Sequence, residues 1–173
     1  MKTKVLLLFV VCTAFTGFTN ESSLKVKFNP QTYDLQLGDL KFAKGLKISD
    51  FIAKYGEPSE KKTHASGEVT YFYENYGIVL AAQAEEVKLV GFTFNTDGDK
   101  KFAANSFKGE FMFGDLSLTT ETKQTELQGV KTFKFVCPMP IMCAGEDRKA
   151  PLKVLVGFNE DKHTITQLAF MTN

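Results

Sequence analysis

The residues most able to do chemistry lie in one short segment, which runs from Cys137 to Cys143 and contains Met139 and Met142. Two cysteines so close together in an exported chain predict a disulfide, closing a loop that two prolines stiffen. Two thiolates beside two thioethers would also suit Cu(I), and a pair of free thiols is a further alternative. A disulfide is favoured because oxidising compartments keep neighbouring cysteines paired.

No catalytic residue and no cofactor are expected from the rest of the sequence. His64 lies in a polar stretch and His163 in a predicted turn, and neither is paired with a nucleophile or an acid. The known hydrolase, zinc-protease and phosphate-loop motifs do not occur. Residues 95–99 faintly resemble a calcium loop, but Ser106 stands where the loop needs an acid. We therefore predict a non-enzymatic protein without a metal site.

The first 20 residues have the order of a secretory signal peptide. Lys2 and Lys4 precede an apolar run from Val5 to Val11, and small and polar residues follow. We expect cleavage near residue 20, because the run is too short to span a bilayer comfortably. Cys12 offers a lipoprotein signal as the alternative, although a small residue should precede the cysteine and a valine does. The mature chain should be periplasmic or secreted.

Charge and composition argue against nucleic-acid partners. The chain has 21 Lys and Arg against 20 Asp and Glu, and Arg148 is its only arginine. Proteins that bind phosphates and bases usually rely on arginine and carry a basic patch. No apolar run after the signal is long enough for a transmembrane segment.

Similar residues recur 76 positions apart and predict two tandem units. Gly38-Asp39-Leu40 recurs as Gly114-Asp115-Leu116, with apolar residues in matching flanking positions. The predicted units span residues 21–94 and 107–173, joined by a linker at residues 95–106. The same shift matches later apolar residues, namely Ile78, Leu80, Leu89, Phe92 and Phe94 with Val154, Val156, Ile165, Leu168 and Phe170. Between these anchors, a shift of 62 matches Tyr71 and Tyr73 to Phe133 and Phe135.

Alternating apolar residues predict an antiparallel sheet with short helices on one face, an α+β fold. A helix should begin at the cap residue Ser49 and end at Gly56, and a degenerate helical turn is expected at residues 123–128. The predicted strands are residues 33–42, 69–73, 78–82, 87–94, 111–118, 132–136, 153–158 and 164–171. The stretches 57–67 and 137–151 are predicted to be loops.

The motifs of the first unit resemble a known family. They are Tyr55-Gly56-Glu57-Pro58, Tyr71-Phe72-Tyr73 and Tyr76-Gly77-Ile78. Their order resembles an uncharacterised family of exported bacterial proteins with a Y-x-Y-x-x-x-G-I signature, and more loosely the SmpA/OmlA-type lipoproteins of outer-membrane assembly. The doubled arrangement is similar to the tandem β-lactamase inhibitor proteins. These resemblances imply a binding role and supply no catalytic residues.

Apolar residues that alternation directs away from the predicted core form the candidate binding surface. The candidates are Phe72, Tyr76, Val79, Met112 and Leu155, and Val90 and Val136 are also predicted to point away from the core. The alternative is that other parts of the chain cover them. The sequence thus predicts an exported binding module, an envelope accessory or inhibitor-like protein with a protein partner in the cell envelope. The alternative function is a small envelope hydrolase or a copper-handling protein.

Overall fold

The computed structural model describes residues 24–172, which form two β-sheets packed face to face. The predicted signal peptide, with Cys12, lies outside the described residues. The strands of the smaller sheet are β1 (Lys25–Asn29), β2 (Asp34–Leu37), β3 (Leu40–Phe42), β8 (Glu110–Phe113) and β9 (Leu116–Leu118). Those of the larger sheet are β4 (Glu60–Thr63), β5 (Val69–Tyr73), β6 (Ile78–Gln83), β7 (Glu86–Thr93), β10 (Phe135–Met139), β11 (Met142–Gly145), β12 (Leu152–Phe158) and β13 (Ile165–Thr172).

The strand order is nearly symmetric in both sheets. In the smaller sheet, the order is β3-β2-β1-β8-β9, so that β1 separates two hairpins. In the larger sheet, the order is β10-β11-β12-β13-β7-β6-β5-β4, and all of its strand pairs are antiparallel. Each half of the larger sheet therefore runs strand by strand from one edge to the centre, where Phe92 of β7 lies opposite Leu168 of β13.

The core lies between the two sheets and is rich in phenylalanine. The ring centroid of Phe28, on β1, is 4.8 Å from that of Phe113 and 4.9 Å from that of Phe170. Phe92 and Phe111 make a similar contact across the sheets, with centroids 4.9 Å apart. Each large apolar side chain that is fully buried stabilises the fold by about 1.5–3 kcal/mol before conformational entropy is subtracted.

The predicted α+β fold with helices on one face is wrong, because a second sheet covers the inner face of the large one. Strands far outnumber helices in the described residues, and the helices there are short: α1 (Ile48–Tyr55) and α2 (Gln124–Gln128). The segments 33–42 and 111–118, predicted as single strands, are hairpins. Gly38 and Gly114 adopt φ of +58° and +59°, a conformation that glycine tolerates and that lets the chain reverse. These hairpins and β1 build the additional sheet.

Two predicted loops also contain strands. The stretch 57–67 contains the edge strand β4, and the stretch 137–151 contains β11 and most of β10. The charged residues of β4 and Pro138 of β10 give weak strand signals because such residues are depleted in strands, although sheet edges tolerate them. Their pairing with neighbouring strands outweighs these weak local preferences.

A bulge reverses part of the predicted inward-facing pattern in β7. Alternation predicts that Val90 faces away from the core, which would direct its neighbour Leu89 inward, but the structure has the opposite arrangement. Ala81 lies opposite Leu89 while Ala82 lies opposite Val87, so one residue of β7 has no direct partner. Val87 and Val90 are both fully buried as a result, whereas Leu89 is on the outer face.

The two helices begin in the same way but are held differently. The N-cap of α1 is Lys47 rather than the predicted Ser49, and the Asp50 carboxylate accepts its backbone N–H. The predicted end at Gly56 is confirmed, with φ of +83°. The predicted helical turn at 123–128 is also confirmed as α2, where the Glu126 carboxylate accepts the Lys123 N–H at 2.7 Å.

Aromatic side chains hold α1 against the large sheet. The Phe51 ring lies 4.5 Å from that of Tyr55 and 4.9 Å from that of Tyr73, measured between centroids. The Tyr55 hydroxyl donates to the Leu37 carbonyl at 2.7 Å, and the Tyr73 hydroxyl donates to the Gly56 carbonyl at 3.2 Å. Burial, assisted by nearby acidic groups, raises the pKa of both tyrosines to about 12, so the neutral phenols are part of the folded state.

Candidate binding surface

Cys137 and Cys143 form a disulfide that links β10 to β11, with Cα atoms 4.0 Å apart. The predicted disulfide is therefore present, although it closes a hairpin and not an irregular loop. A disulfide of this kind is typical of exported proteins. In the oxidised state these cysteines offer no thiolates to a copper ion.

The inner side of the hairpin is anchored to α2. The Gln124 side-chain amide donates to the Cys143 sulfur at 3.4 Å, and the Gln128 amide donates to the Cys137 sulfur at 3.0 Å. Phe133 packs closely against Gly145, since a Cβ at this glycine would lie 2.8 Å from the ring. The helix and the ring thus fix the position of the hairpin relative to the core.

The outer side of the hairpin is apolar and exposed to solvent. Val136 and Met139 are 50% and 44% exposed, and Ile141 and Met142 are 43% and 37% exposed. Within residues 24–172, the large apolar side chains with this degree of exposure all belong to the hairpin. Such a concentration differs from the scattered apolar residues of an ordinary protein surface and is typical of an interaction site.

The strand register places Val136, Met139 and Met142 with others on the outer face of the large sheet, whereas Ile141 lies in the turn between β10 and β11. Val136 lies opposite Ala144, and Ala144 lies opposite Leu155 of β12. Met139 lies opposite Met142. We call the outward-facing set the hairpin patch; its members are Val136, Met139, Met142, Ala144 and Leu155.

The same row of the sheet continues into a half that is buried. From Leu155 the row passes through Ala169, Gly91 and Val79 to Phe72. Val79 is 1% exposed and Phe72 is 6% exposed, although both lie on the outer face. The side chain that covers this part is Phe102, whose ring would lie 2.8 Å from a Cβ placed at Gly91.

Phe102 belongs to residues 95–107, which we call the strap and which fold back over the first half of the sheet. The Thr93 hydroxyl donates to the Ala103 carbonyl at 2.8 Å. The Glu74 carboxylate accepts the backbone N–H groups of Ala104 and Asn105, both at 3.1 Å. These bonds fix the strap and keep water from the sheet face below it.

The predicted binding residues are therefore not brought together on one open surface. Phe72 and Val79 are buried, and Tyr76 lies half-buried in a turn, with its ring centroid 5.9 Å from that of Tyr55. Met112 lies on the outer face of the other sheet, beside an open groove of about 540 Å³ lined in part by Lys27. Leu155 alone is in the hairpin patch.

Sequence reasoning missed Met139, Ile141 and Met142 as surface residues. The available signal was their position beside or just after Pro138 and Pro140, because proline is restricted to edges and bulges of a sheet. Apolar residues on an edge strand are less fully covered than those of a central strand.

Groups for acid–base chemistry are not assembled in the part of the chain that the structure describes. The His64 ring hydrogen-bonds the Thr70 hydroxyl at 2.8 Å. In residues 24–172, no side-chain hydrogen bond or ion pair joins His64 or His163 to a carboxylate, and no cluster of three potential metal ligands occurs. The described helices are also too short to cross a membrane.

The fold and the patch thus define a small two-sheet β protein with a disulfide-linked apolar hairpin. Its sequence belongs to the family described as Domain of unknown function (DUF7738), whose profile matches residues 27–128. No curated protein matches the chain.

Two solved structures resemble the chain at low identity. One is an extracellular protein containing a SCP domain from Bacillus anthracis, with 11% identity and a TM-score of 0.49, covering 76% of this chain and 44% of that one. The other is a cysteine-rich secretory protein from Staphylococcus aureus, with 12% identity and a TM-score of 0.43, covering 87% of this chain and 50% of that one. The chain spans half or less of these proteins, and likeness at this level assigns no function.

Proposed function

We propose that this chain is an exported, non-enzymatic binding protein of the cell envelope that recognises a protein partner through the hairpin patch. The observation that carries the proposal is the concentration of exposed apolar side chains on a single disulfide-linked hairpin. Anchoring by the disulfide, the prolines and α2 reduces the conformational entropy that binding would otherwise cost.

The edge position of the hairpin favours recognition through side chains. Pro138 of β10 lacks an N–H group, and so does Pro140 just beyond the strand, which opposes the addition of a partner strand at this edge. The outward side chains of Val136, Met139 and Met142 remain accessible on the sheet face. Methionine side chains adapt to differently shaped partners and are common at such surfaces.

Export and a tandem origin belong to the same proposal. The signal peptide of residues 1–20 would direct the chain to the periplasm or the medium, where its disulfide forms. The tandem units are supported by matching hairpins at Gly38 and Gly114, by helices that each begin after a lysine, and by the symmetric strand order.

The correspondence between the units differs from the predicted one in their middle. Leu80 and Val156 are both buried and belong to corresponding strands; Phe94 and Phe170 are also both buried, but Phe94 directly follows β7 whereas Phe170 lies within the corresponding β13. However, β11 takes the position that corresponds to β5, whereas the sequence match assigned that position to Phe133 and Phe135. The exact unit boundaries, 21–94 and 107–173, stay a prediction.

A comparative pull-down tests the proposed function. The mature chain and a Val136→Lys/Met142→Lys variant would be used as bait in envelope extract, and Thr63→Lys on the opposite edge strand would be the matched control. We expect one protein to be recovered by the native chain and by the control, but about tenfold less by the patch variant. Equal recovery by all three folded proteins would contradict the proposal.

A further inference from the structure

We infer that the hairpin patch receives an extended peptide segment of the partner, anchored by an aromatic side chain. The inference rests on the proposed function and adds the chemistry of the segment that is recognised. It follows from a comparison within the molecule, because the strap already covers the other half of the same sheet face in this manner.

The strap shows which kind of segment this sheet face accepts. Residues 95–107 contain no helix or strand, and they cross the sheet as irregular chain. Phe102 lies over Gly91, whose missing side chain leaves space for the ring, and Val79 borders the same space. Backbone groups of the strap are bonded to Thr93 and Glu74 at its borders. One aromatic ring, packed over a residue that has no side chain, therefore provides the apolar contact at Gly91.

The open half of the face offers a small residue among larger ones at Ala144. This residue lies between Val136 and Leu155 in the strand register, whereas Ala169, on the other side of Leu155, is already buried. An aromatic ring placed over Ala144 would contact the Leu155 side chain and, two residues along β11, that of Met142. Aromatic rings bury a large apolar area at low entropic cost, and methionine sulfur makes favourable contacts with them.

The open half is also continuous with the interface that the strap has formed. Leu155, Ala169 and Gly91 are successive residues of one cross-strand row. At the border between the halves, Gln167 donates to the Asp97 carboxylate of the strap at 2.9 Å. A bound segment would thus extend an existing covered surface across the sheet.

The size of the patch favours a peptide over a second copy of the chain. Stable protein–protein interfaces involve about 20–30 residues from each partner. The hairpin patch has far fewer residues than this. Its size suits a short extended peptide, which is anchored by only a few side-chain contacts. The prolines of β10 further oppose a dimer formed by edge-to-edge pairing.

Selection from a random peptide library tests the inference. Displayed peptides of about a dozen residues would be selected on the immobilised, oxidised mature chain. We expect the enriched peptides to contain an aromatic residue, and to lose about tenfold in affinity when it is changed to alanine. They should bind Thr63→Lys like the native chain, and Val136→Lys/Met142→Lys about tenfold more weakly. No enrichment, or enrichment independent of the patch or of an aromatic residue, would overturn the inference.

The remaining outcomes separate this inference from the proposed function. If the pull-down depends on the patch but no peptide is enriched, the partner uses a folded surface, and only the inference fails. If the patch variant alters neither experiment, both proposals fail. Dimers that depend on the patch in sedimentation would mean that a second copy of the chain, and not a peptide, binds there. Patch-dependent binding to vesicles of phosphatidylethanolamine and phosphatidylglycerol would mean that the patch binds a lipid surface.

Discussion

The two halves of the outer face of the large sheet are built from similar residues but differ in how far they are covered. On one half, Phe72 and Val79 are almost fully buried, and Phe102 of the strap lies over Gly91 beside Val79. On the other half, Val136 and Met142 remain 50% and 37% exposed. The comparison shows that whether an outward apolar residue stabilises the fold or offers a binding surface depends on what covers it.

The helices of the two halves differ in a related way. Phe51 of α1 packs between Tyr55 of the same helix and Tyr73 of β5, whereas α2 contacts the disulfide through two glutamines. The half that contains α2 thus has a disulfide where the half that contains α1 has packed aromatic rings. This arrangement holds the hairpin in place while its outer side chains remain free for another molecule.

The largest expected effect compares the same substitution in the two halves. Val79→Lys would place a charge below the strap, and we expect a loss of at least about 3 kcal/mol in the free energy of unfolding. Val136→Lys should change it by no more than about 0.5 kcal/mol, because the side chain is half exposed. Urea denaturation measures both values. Similar losses for the two variants would contradict the distinction between covered and open halves.

A second prediction concerns the ring that covers the first half. Gly91→Ala would bring a methyl group to 2.8 Å from the Phe102 ring and from Val79, and we expect a loss of about 1–3 kcal/mol. Adding Phe102→Ala removes part of the clash, so the double variant should lose less than the sum of the single variants. Strict additivity in urea denaturation would show that the ring does not lie over Gly91.

The third prediction concerns the disulfide of the open half. Cys137→Ala/Cys143→Ala should lower the free energy of unfolding by about 2 kcal/mol, since the closed loop is short. Amide hydrogen exchange should become faster in β10, β11 and α2, while α1 and its aromatic contacts keep their protection. Equal acceleration in both halves would mean that the disulfide stabilises the whole fold and not the hairpin in particular.

The fourth prediction uses the tyrosines around α1. Their pKa is raised from 10.0 to about 12 in the folded state, so their contribution to stability is complete below pH 10 and is lost as the pH rises towards 12. We expect the melting temperature to fall over this range, and to fall less in Tyr55→Phe/Tyr73→Phe. An unchanged pH dependence in that variant would argue against the role of the two phenols.

The smallest expected effect on stability is oxidation of the patch methionines. Dilute peroxide should convert Met139 and Met142 to sulfoxides faster than Met112 and Met171, which are less exposed. Because both side chains face solvent, their oxidation should change the free energy of unfolding by no more than about 0.5 kcal/mol. Peptide mass mapping gives the rates. Slower oxidation of Met139 and Met142 would show that the patch is covered in solution.

Local sequence signals correctly predicted several features of this protein. The close spacing of Cys137 and Cys143 predicted the disulfide, and Gly56 predicted the end of α1. Alternation placed Val136 and Leu155 on the outer face of the large sheet, as found. These features could be predicted because they depend on neighbouring residues, on turn geometry or on the period of a strand.

Tertiary structure decided the rest. The second sheet requires β1 to pair with β2, its neighbour in sequence, and also with β8, which is far from both in sequence. The bulge in β7 depends on its pairing with β6, and it exchanges the orientations of Leu89 and Val90. The exposure of the patch depends on a strap that covers only one half of the sheet. Alternation determines the face on which a side chain lies, but contacts between distant segments determine whether that face is covered.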